Sequence, residues 1–178
     1  MKRTLILFAS KAGTTRRAAE RLSRALASAC DCYDLRKRTL QTANGAVTRV
    51  NAANLDFAQY DVLALGSAMY MGKPLKAFTQ FAGAQTAELL KPPLLLFTCG
   101  IGTQQDDQPY LWANLPESVT AHALGYYHLG GELSEKGGWL NRMVLKEYIS
   151  KNGKSPALDE KAFAAFCSAL DSAGAAEE

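Results

Sequence analysis

The sequence predicts an α/β fold with three layers, a doubly wound sheet of five parallel strands in the order 2-1-3-4-5. Three continuous apolar runs, at residues 4–9, 62–66 and 94–99, have the length of strands covered on both faces. Amphipathic stretches of helical period separate these runs, as right-handed βαβ crossovers require. At 178 residues the chain is long enough to bury a core without disulfides or metals. We expect one domain over residues 1–172 and a frayed tail over residues 173–178.

The composition is that of an ordinary globular chain. Hydrophobic residues make up 48% of it and charged residues 21%, both near average usage. The longest apolar run falls far short of the roughly 18 residues that span a bilayer, so we expect no integral membrane segment. With 20 Lys and Arg against 17 Asp and Glu, the net charge of +3 does not by itself indicate nucleic acid. The basic residues at 16–24 and 36–38 favour a solvated face, with an acidic partner or peripheral membrane contact as the alternative.

The cysteines indicate a reducing compartment. Four of them, at positions 30, 32, 99 and 167, are too few and too scattered for a disulfide scaffold. We therefore expect reduced thiols and a cytoplasmic location. Only two histidines are available to complete a metal site with Cys30 and Cys32, and the spacing is not that of a zinc finger. We predict buried structural thiols and no metal.

Periodicity predicts the elements of the first third of the chain. The continuous apolar run at residues 4–9 places strand one at the centre of the sheet. Over residues 15–29 apolar side chains recur at i, i+3, i+4 and i+7, which predicts a helix packed on the sheet. Residues 30–35 alternate as a short edge strand would. In the polar connection of residues 36–56, Asn44-Gly45 suggests a small hairpin.

The rest of the chain continues this alternation. The strand at residues 62–66 leads into a loop of residues 67–73, after which Pro74 is placed to open a helix. The strand at residues 94–99 leads into a loop that ends at Gln105. The remaining predicted elements are a helix near residues 108–114, an extended stretch over 119–129, a helix over 139–150 that docks on the sheet, and a last helix over 159–171.

The loop of residues 10–15 joins the central strand to the first helix and has the properties of a phosphate site. At a helix start the first backbone N–H groups lack intrahelical partners and the dipole is positive, so small residues there allow a phosphate to approach closely. Ser10, Thr14 and Thr15 add hydroxyl donors. The Gly-Lys-Ser/Thr ending of nucleotide triphosphatases and the Gly-x-Gly-x-x-Gly turn of dinucleotide folds are both absent from it. A monophosphate ligand is therefore favoured.

The predicted topology places the ligand in the crevice outside the carboxyl ends of the strands, where the winding reverses. In this sheet the reversal lies between the first strand and the strand at residues 62–66. Three loops reach that edge, at residues 10–15, 67–73 and 99–105. Because they meet at one edge, we expect them to form a single site.

Residues 6–22 match the flavodoxin signature position by position: two aliphatics, an aromatic, Ser10, a small residue at Gly13, Thr15, an Ala and a final aliphatic. The chain therefore resembles flavodoxin-like proteins, which bind flavin mononucleotide (FMN), and the likeness covers residues 1 to 170. The resemblance implies a flavodoxin-like fold, with FMN as the cofactor.

The same resemblance implies which residues hold the cofactor. Those around the phosphate are Ser10, Lys11, Ala12, Gly13, Thr14 and Thr15. Those beside the flavin ring are Ser67, Ala68, Met69, Tyr70, Met71 and Gly72 from one loop and Cys99, Gly100, Ile101, Gly102 and Thr103 from another. Tyr70 is the candidate to stack on the ring, and main-chain N–H groups near Gly72 and at residues 100–102 are candidates to bond it. Cys99 is expected to be a packed thiol rather than a redox partner.

Two features depart from a plain electron carrier of this family. Such carriers are typically acidic, whereas this chain is net positive. In addition, a Gly130-Gly131 turn is followed by a helix that begins with Trp139 and carries the basic Arg142. In this region the chain resembles the subgroup that includes the menaquinone-dependent protoporphyrinogen oxidases.

Three functions are therefore expected as alternatives. The first is electron transfer by an FMN-binding redox protein with a partner protein. The second is an FMN-dependent, quinone-linked dehydrogenase like the protoporphyrinogen oxidases, in which His128 or Glu132 would accept a proton from the substrate. The third is an interaction module without flavin. The aromatic residues between positions 105 and 150 would line a substrate pocket or, as we favour for most of them, pack a larger core.

Overall fold

The computed structural model describes residues 2–133 and 138–173. Its strands are β1 (Arg3–Ala9), β2 (Ala29–Asp34), β3 (Thr39–Gln41), β4 (Val47–Arg49), β5 (Val62–Tyr70), β6 (Lys73–Pro74), β7 (Leu94–Cys99) and β8 (Gly125–His128). Its helices are α1 (Thr14–Ala25), α2 (Lys76–Ala84), α3 (Thr86–Leu89), α4 (Gln104–Ala113), α5 (Glu117–His122), α6 (Gly138–Asn152) and α7 (Glu160–Ala173). Two short 3-10 helices, Ala52–Asn54 and Phe57–Gln59, lie between β4 and β5.

The parallel strands of the sheet follow the order β2-β1-β5-β7-β8, which confirms the predicted fold class and winding. The predicted number of strands is wrong, because the sheet has eight strands rather than five. The three additional strands are antiparallel: β3 and β4 extend the sheet beyond β2, and β6 pairs with β5. The hairpin predicted at Asn44-Gly45 is confirmed, since it connects β3 to β4 and Gly45 has a φ of 86°.

The position of β2 differs from the prediction of an edge strand, because the β3–β4 hairpin covers its outer side. The apparent alternation of β2 arises from two buried aspartates rather than from a solvated face. Asp31 accepts hydrogen bonds from the Tyr60 hydroxyl at 2.7 Å and from the Ala43 backbone N–H at 2.8 Å. Asp34 pairs with Arg16. A carboxylate with such partners can be buried at acceptable cost, which periodicity alone does not reveal.

Apolar side chains of the central strands alternate between two cores, one on each face of the sheet. On one face Leu5 and Leu7 pack with residues of α2, α3, α4 and α5, among them Phe78. On the other face Ile6 and Phe8 pack with residues of α1 and α7, among them Phe166. The sheet is therefore the middle of three layers, as the sequence predicts.

Several predicted boundaries are wrong for local reasons. The first helix ends at Ala25 rather than residue 29, because Leu26 has an extended backbone (φ −71°, ψ 142°). The helix predicted near residues 108–114 begins at Gln104, because the Thr103 side chain caps it by accepting from the Asp106 N–H at 3.2 Å. The stretch predicted as extended over 119–129 contains most of α5 before β8 begins. Pro74 lies in β6, and α2 begins after it at Lys76.

The two C-terminal helices pack differently from each other. α7 confirms the last predicted helix and buries Phe163, Phe166 and Leu170. The docking predicted for residues 139–150 is wrong, because Leu145 is the only buried residue described in α6 and Trp139 is 74% exposed. Within the described ranges, no helix has the length and apolarity needed to cross a membrane. Residues 134–137 of the predicted Gly-Gly region and residues 174–178 of the predicted tail lie outside the described residues.

Candidate functional site

The first loop, residues 10–15, leaves the start of α1 open to a ligand. Gly13 precedes the helix with a φ of 96°, a conformation that favours glycine, and its N–H donates to the Ser10 hydroxyl at 3.2 Å. The first helical hydrogen bond runs from the Arg17 N–H to the Gly13 carbonyl at 2.9 Å. Among the described residues, no side chain caps this helix and no acidic residue lies in its first turn. The N–H groups of the first turn therefore remain available to an anion.

Thr15 is fully buried at the base of this loop. Its hydroxyl oxygen has no hydrogen-bond partner within the described part of the chain, although it lies beside the Cys99 thiol. An unsatisfied buried hydroxyl costs about 1–3 kcal/mol. Burial raises the pKa of Cys99 to about 12, so this thiol stays protonated at neutral pH. Cys99 is a packed, buried thiol, as the sequence predicts.

Basic side chains surround the first loop on the β2 side. Arg36 donates to the Ser10 carbonyl at 2.7 Å, and Arg16 pairs with the buried Asp34. These residues line an open cavity of about 470 Å³, together with Lys11, Lys37 and three small loop residues. The local charge is therefore positive, which favours a dianionic phosphate at the neighbouring helix start.

The second predicted loop is mostly strand. β5 continues through Tyr70, and a two-residue turn of Met71 (φ 51°) and Gly72 (φ 73°) leads directly into β6. The Ser67 hydroxyl is buried and accepts from the Leu75 N–H at 2.9 Å, so it stabilises the hairpin. The sequence does not reveal that β5 extends to Tyr70, because small and apolar residues at 67–70 are compatible with either loop or strand.

The Tyr70 ring lies over the first loop, where the Lys11 ammonium is 3.8 Å from the ring centroid. This cation–π contact joins the first two loops across the sheet edge. Tyr70 is 45% exposed and Met71 86% exposed, and the Tyr110 ring of α4 lies near Gly72. Ile101 of the third loop is also exposed. An apolar, solvent-accessible surface therefore borders the edge where the loops meet.

The third loop, residues 99–103, is held by the chain that follows β8. The Gly100 N–H donates to the Gly130 carbonyl at 3.0 Å. Gly131 packs so closely that a Cβ there would lie 2.5 Å from the Gly100 carbonyl oxygen. Thr103 caps α4 and therefore faces the helix rather than a ligand. Ile101, Gly102 and Thr103 are the exposed residues of this loop.

A buried polar cluster lies behind the third loop and consists of Thr98, Asp107, Tyr126 and His128. His128 contacts the Thr98 hydroxyl, the Asp107 carboxylate and the Gly100 carbonyl. Burial raises the pKa of Tyr126 to about 12, so its hydroxyl remains a hydrogen-bond donor. The sequence analysis did not predict that Asp107 belongs to a buried polar cluster. The expectation that His128 accepts a substrate proton is not supported, because both ring nitrogens are already engaged inside the protein.

The three predicted loops lie at one edge of the sheet and contact one another. Lys11 contacts Tyr70, Thr15 contacts Cys99, and a Cβ on Gly100 would lie 3.2 Å from the Met69 Cβ. In addition, Arg17 pairs with Glu132, which ties α1 to the segment after β8. Glu132 is thus an ion-pair partner and not a free carboxylate.

Comparison with known families agrees with this fold. The sequence profile of the flavodoxin domain family matches residues 5–159. The chain belongs to the flavodoxin domain family. As a member of that family, it carries the family's signature loop at the start of α1, next to the second and third loops. A search of curated proteins found no match to this flavodoxin domain.

Solved structures of similar fold support the same architecture. The flavodoxin, WrbA-like protein from Agrobacterium tumefaciens has a TM-score of 0.55 and 17% identity, with 98% of this chain and 96% of that chain covered. The Trp repressor binding protein from Bacillus subtilis has a TM-score of 0.51 and 12% identity, with 95% and 98% covered. A flavoprotein in complex with FMN from Lactobacillus acidophilus NCFM has a TM-score of 0.50 and 16% identity, with 72% and 93% covered. At these identities the likeness concerns the fold.

Proposed function

We propose that this flavodoxin domain binds FMN and transfers electrons. The observation that carries the proposal is the start of α1, where open N–H groups and a positive surround meet the buried Thr15 hydroxyl, which has no hydrogen-bond partner among the described residues. These groups fit a phosphate monoester, which carries nearly two negative charges at neutral pH and several strong acceptor oxygens. The FMN complex of the Lactobacillus acidophilus flavoprotein supports the choice of ligand.

The roles of the loops follow from their geometry. The first loop, Ser10 to Thr15, would bind the phosphate through the N–H groups of α1 and the hydroxyls of Ser10 and Thr15. The second and third loops, Ser67 to Gly72 and Cys99 to Thr103, would border the ring, with Tyr70 as the stacking candidate. Ser67 and Thr103 would act by holding their loops, since their hydroxyls are already bonded. When bound, FMN supplies the electron-carrying chemistry, and the protein binds, orients and shields it.

Binding of FMN and riboflavin to the apoprotein tests this assignment directly. Riboflavin has the same ring as FMN but no phosphate, so the ratio of the two dissociation constants isolates the contribution of the first loop. We expect FMN to bind at least about 100-fold more tightly, because several charge-assisted hydrogen bonds are lost without the phosphate. Flavin fluorescence quenching measures both constants. Equal affinities, or no binding of either flavin, would refute the proposal.

A second candidate function is favoured by the exposed apolar side chains at the same edge. Tyr70, Met71, Ile101 and Tyr110 form a surface on which a flat, apolar molecule would rest beside the flavin. This arrangement supports a quinone-linked, FMN-dependent dehydrogenase like the protoporphyrinogen oxidases. In the first candidate, the acceptor is a redox partner protein docked on the same surface.

Stopped-flow oxidation of the photoreduced protein distinguishes the two candidates. For a quinone-linked enzyme we expect saturation with a water-soluble menaquinone analogue and a loss of saturation in Tyr110→Ala. Ferricyanide, which needs no apolar contact, serves as the control oxidant and should react equally with both proteins. Oxidation that is linear in quinone concentration and unchanged in Tyr110→Ala would favour the carrier.

A further inference from the structure

The buried cluster behind the third loop lies outside the three loops proposed to hold the flavin. His128 is 8% exposed and Asp107 5%, and neither lies in a loop that borders the flavin. Burying ionisable groups costs free energy unless they are hydrogen-bonded. Hydrogen bonds of buried groups are also well placed to fix a local structure. The His128 imidazole contacts the third loop at the Gly100 carbonyl.

The hydrogen bonds of His128 define the orientation of its ring. Nε2 lies 3.1 Å from the Gly100 carbonyl oxygen, which only accepts, so Nε2 carries a hydrogen and donates it. On the other edge, Nδ1 lies 3.0 Å from the Thr98 hydroxyl, which is 2.7 Å from the Tyr126 hydroxyl. The Asp107 carboxylate lies 3.2 Å from the same nitrogen. The ring is thus held at both edges, and its Nε2–H is aimed at Gly100.

Fixing the Gly100 carbonyl also fixes the next N–H group. In a planar trans peptide the carbonyl and the following N–H point in opposite directions, and the described residues contain no cis peptide. Because the Gly100 carbonyl points to His128, the Ile101 N–H points away from the buried cluster. The preceding peptide is fixed as well, since the Gly100 N–H donates to Gly130.

We propose that His128 is the positioning residue of the flavin site and that, through the Gly100 carbonyl, it aims the Ile101 N–H at the flavin ring. Thr98 acts one step further back, by holding the imidazole at Nδ1. The inference rests on the proposed function, because the ring of FMN is the acceptor of the Ile101 N–H. It accounts for the burial of a histidine behind a loop that does not contain it.

Two substitutions of His128 separate the two edges of the ring. A glutamine places its amide nitrogen where Nε2 lies, so His128→Gln keeps a donor to Gly100. An asparagine reaches only as far as Nδ1, so His128→Asn keeps the inner contacts and loses the donor. His122→Asn is the matched control, because His122 also contacts a carbonyl, that of Pro92 at 2.9 Å, outside the three loops.

The measurements are the dissociation constants of FMN and riboflavin, the midpoint potential of the bound flavin, and the amide chemical shift of Ile101 in the apoprotein. In His128→Asn we expect both flavins to bind about tenfold more weakly, the potential to fall and the Ile101 amide signal to shift, since one ring hydrogen bond is lost. His128→Gln should lose less than about threefold, and His122→Asn should match the wild type in all three measurements. Both His128 variants should lose similar stability to denaturant, because both disturb the cluster.

The outcomes are distinguishable from those for the proposed function. Equal flavin losses in His128→Asn and His128→Gln would mean that the cluster acts only through stability and would overturn the proposal. Unchanged affinity, potential and Ile101 signal in His128→Asn would overturn it as well. If His128→Asn does not fold, Thr98→Val tests the same step, and an unchanged potential there counts against positioning. A wild type that binds no flavin would instead refute the proposed function, and the donor role with it.

Discussion

The first and third loops lie at the same edge of the sheet, but their conformations depend on different parts of the chain. The first loop is shaped by its own residues: Gly13 supplies the left-handed turn and Ser10 accepts its N–H. The third loop is shaped by residues far along the chain, because His128, Gly130 and Gly131 fix Gly100 from behind. One loop is therefore a local motif and the other a tertiary one.

This difference separates the expected effects of substitutions. A change in the first loop should weaken the binding of FMN through its phosphate and leave riboflavin binding intact. A change behind the third loop should weaken FMN and riboflavin alike and should also destabilise the apoprotein, since the contacts are part of the fold.

The strongest test of the third loop is Gly131→Ala. The added Cβ would lie 2.5 Å from the Gly100 oxygen and 2.6 Å from its carbonyl carbon, so backbone must move. We expect the free energy of unfolding to fall by about 2 kcal/mol, as overpacking generally causes. We also expect both flavins to bind more weakly by the same factor. Urea denaturation and flavin titration measure the two effects.

The control for this substitution is Gly83→Ala in α2, where nothing lies within 4 Å of the added methyl group. There we expect a gain of about 0.5–1 kcal/mol from the lower entropy of the unfolded chain. If Gly131→Ala behaved like Gly83→Ala, the third loop would not depend on the segment after β8, and the contrast between the loops would fail.

The corresponding test of the first loop is Thr15→Val, which removes one hydroxyl and keeps the shape of the side chain. We expect FMN to bind about tenfold more weakly and riboflavin to bind as before, because only the phosphate uses this hydroxyl. The apoprotein should not lose stability, since the hydroxyl has no partner among the described residues. Thr120→Val in α5 is the matched control and should leave both flavins unaffected. A parallel loss of riboflavin affinity would place Thr15 beside the ring instead.

The same contrast explains what the sequence could predict. The five parallel strands, their order and the first loop depend on periodicity and on a contiguous motif, and both are visible in one chain. The hairpin of β3 and β4 was predicted, but its pairing with β2 and the existence of β6 were not, because both depend on pairing across the sheet. The helix of α6 was predicted correctly, but its docking on the sheet was not, because its apolar residues have helical spacing whereas Leu145 alone is buried among those described.

The candidate site was predictable only in part. The sequence predicted the three segments that the structure brings to one edge, although residues 67–70 continue β5 instead of forming a loop, and the roles of individual residues are proposals. Ser67 and Thr103 were grouped with the ligand-facing residues, although their hydroxyls hold the hairpin and cap α4. Asp107 was missed because a carboxylate in the first turn of a helix is typical of ordinary capping.

The smallest expected effect concerns Cys99 and Thr15, where the first and third loops meet. The ordinary pKa of a thiol is 9.0, and burial raises that of Cys99 to about 12. Above pH 9 the unfolded chain therefore releases this proton while the folded protein keeps it, so the free energy of unfolding falls from pH 9 towards pH 12. At pH 9.5 the contribution of Cys99 is less than about 1 kcal/mol.

Cys99→Ala should remove this contribution and make stability less dependent on pH between 8 and 9.5, as measured by denaturation at both values. Tyr126 adds to the loss only at higher pH, since its pKa rises from 10.0 to about 12. Cys167→Ala is the comparison, because that thiol is only partly buried. In Thr15→Val the decline should equal that of the wild type over this pH range, because the folded protein keeps the Cys99 proton at pH 9.5 in both. A decline that persists unchanged in Cys99→Ala would mean that the buried thiol does not cause it.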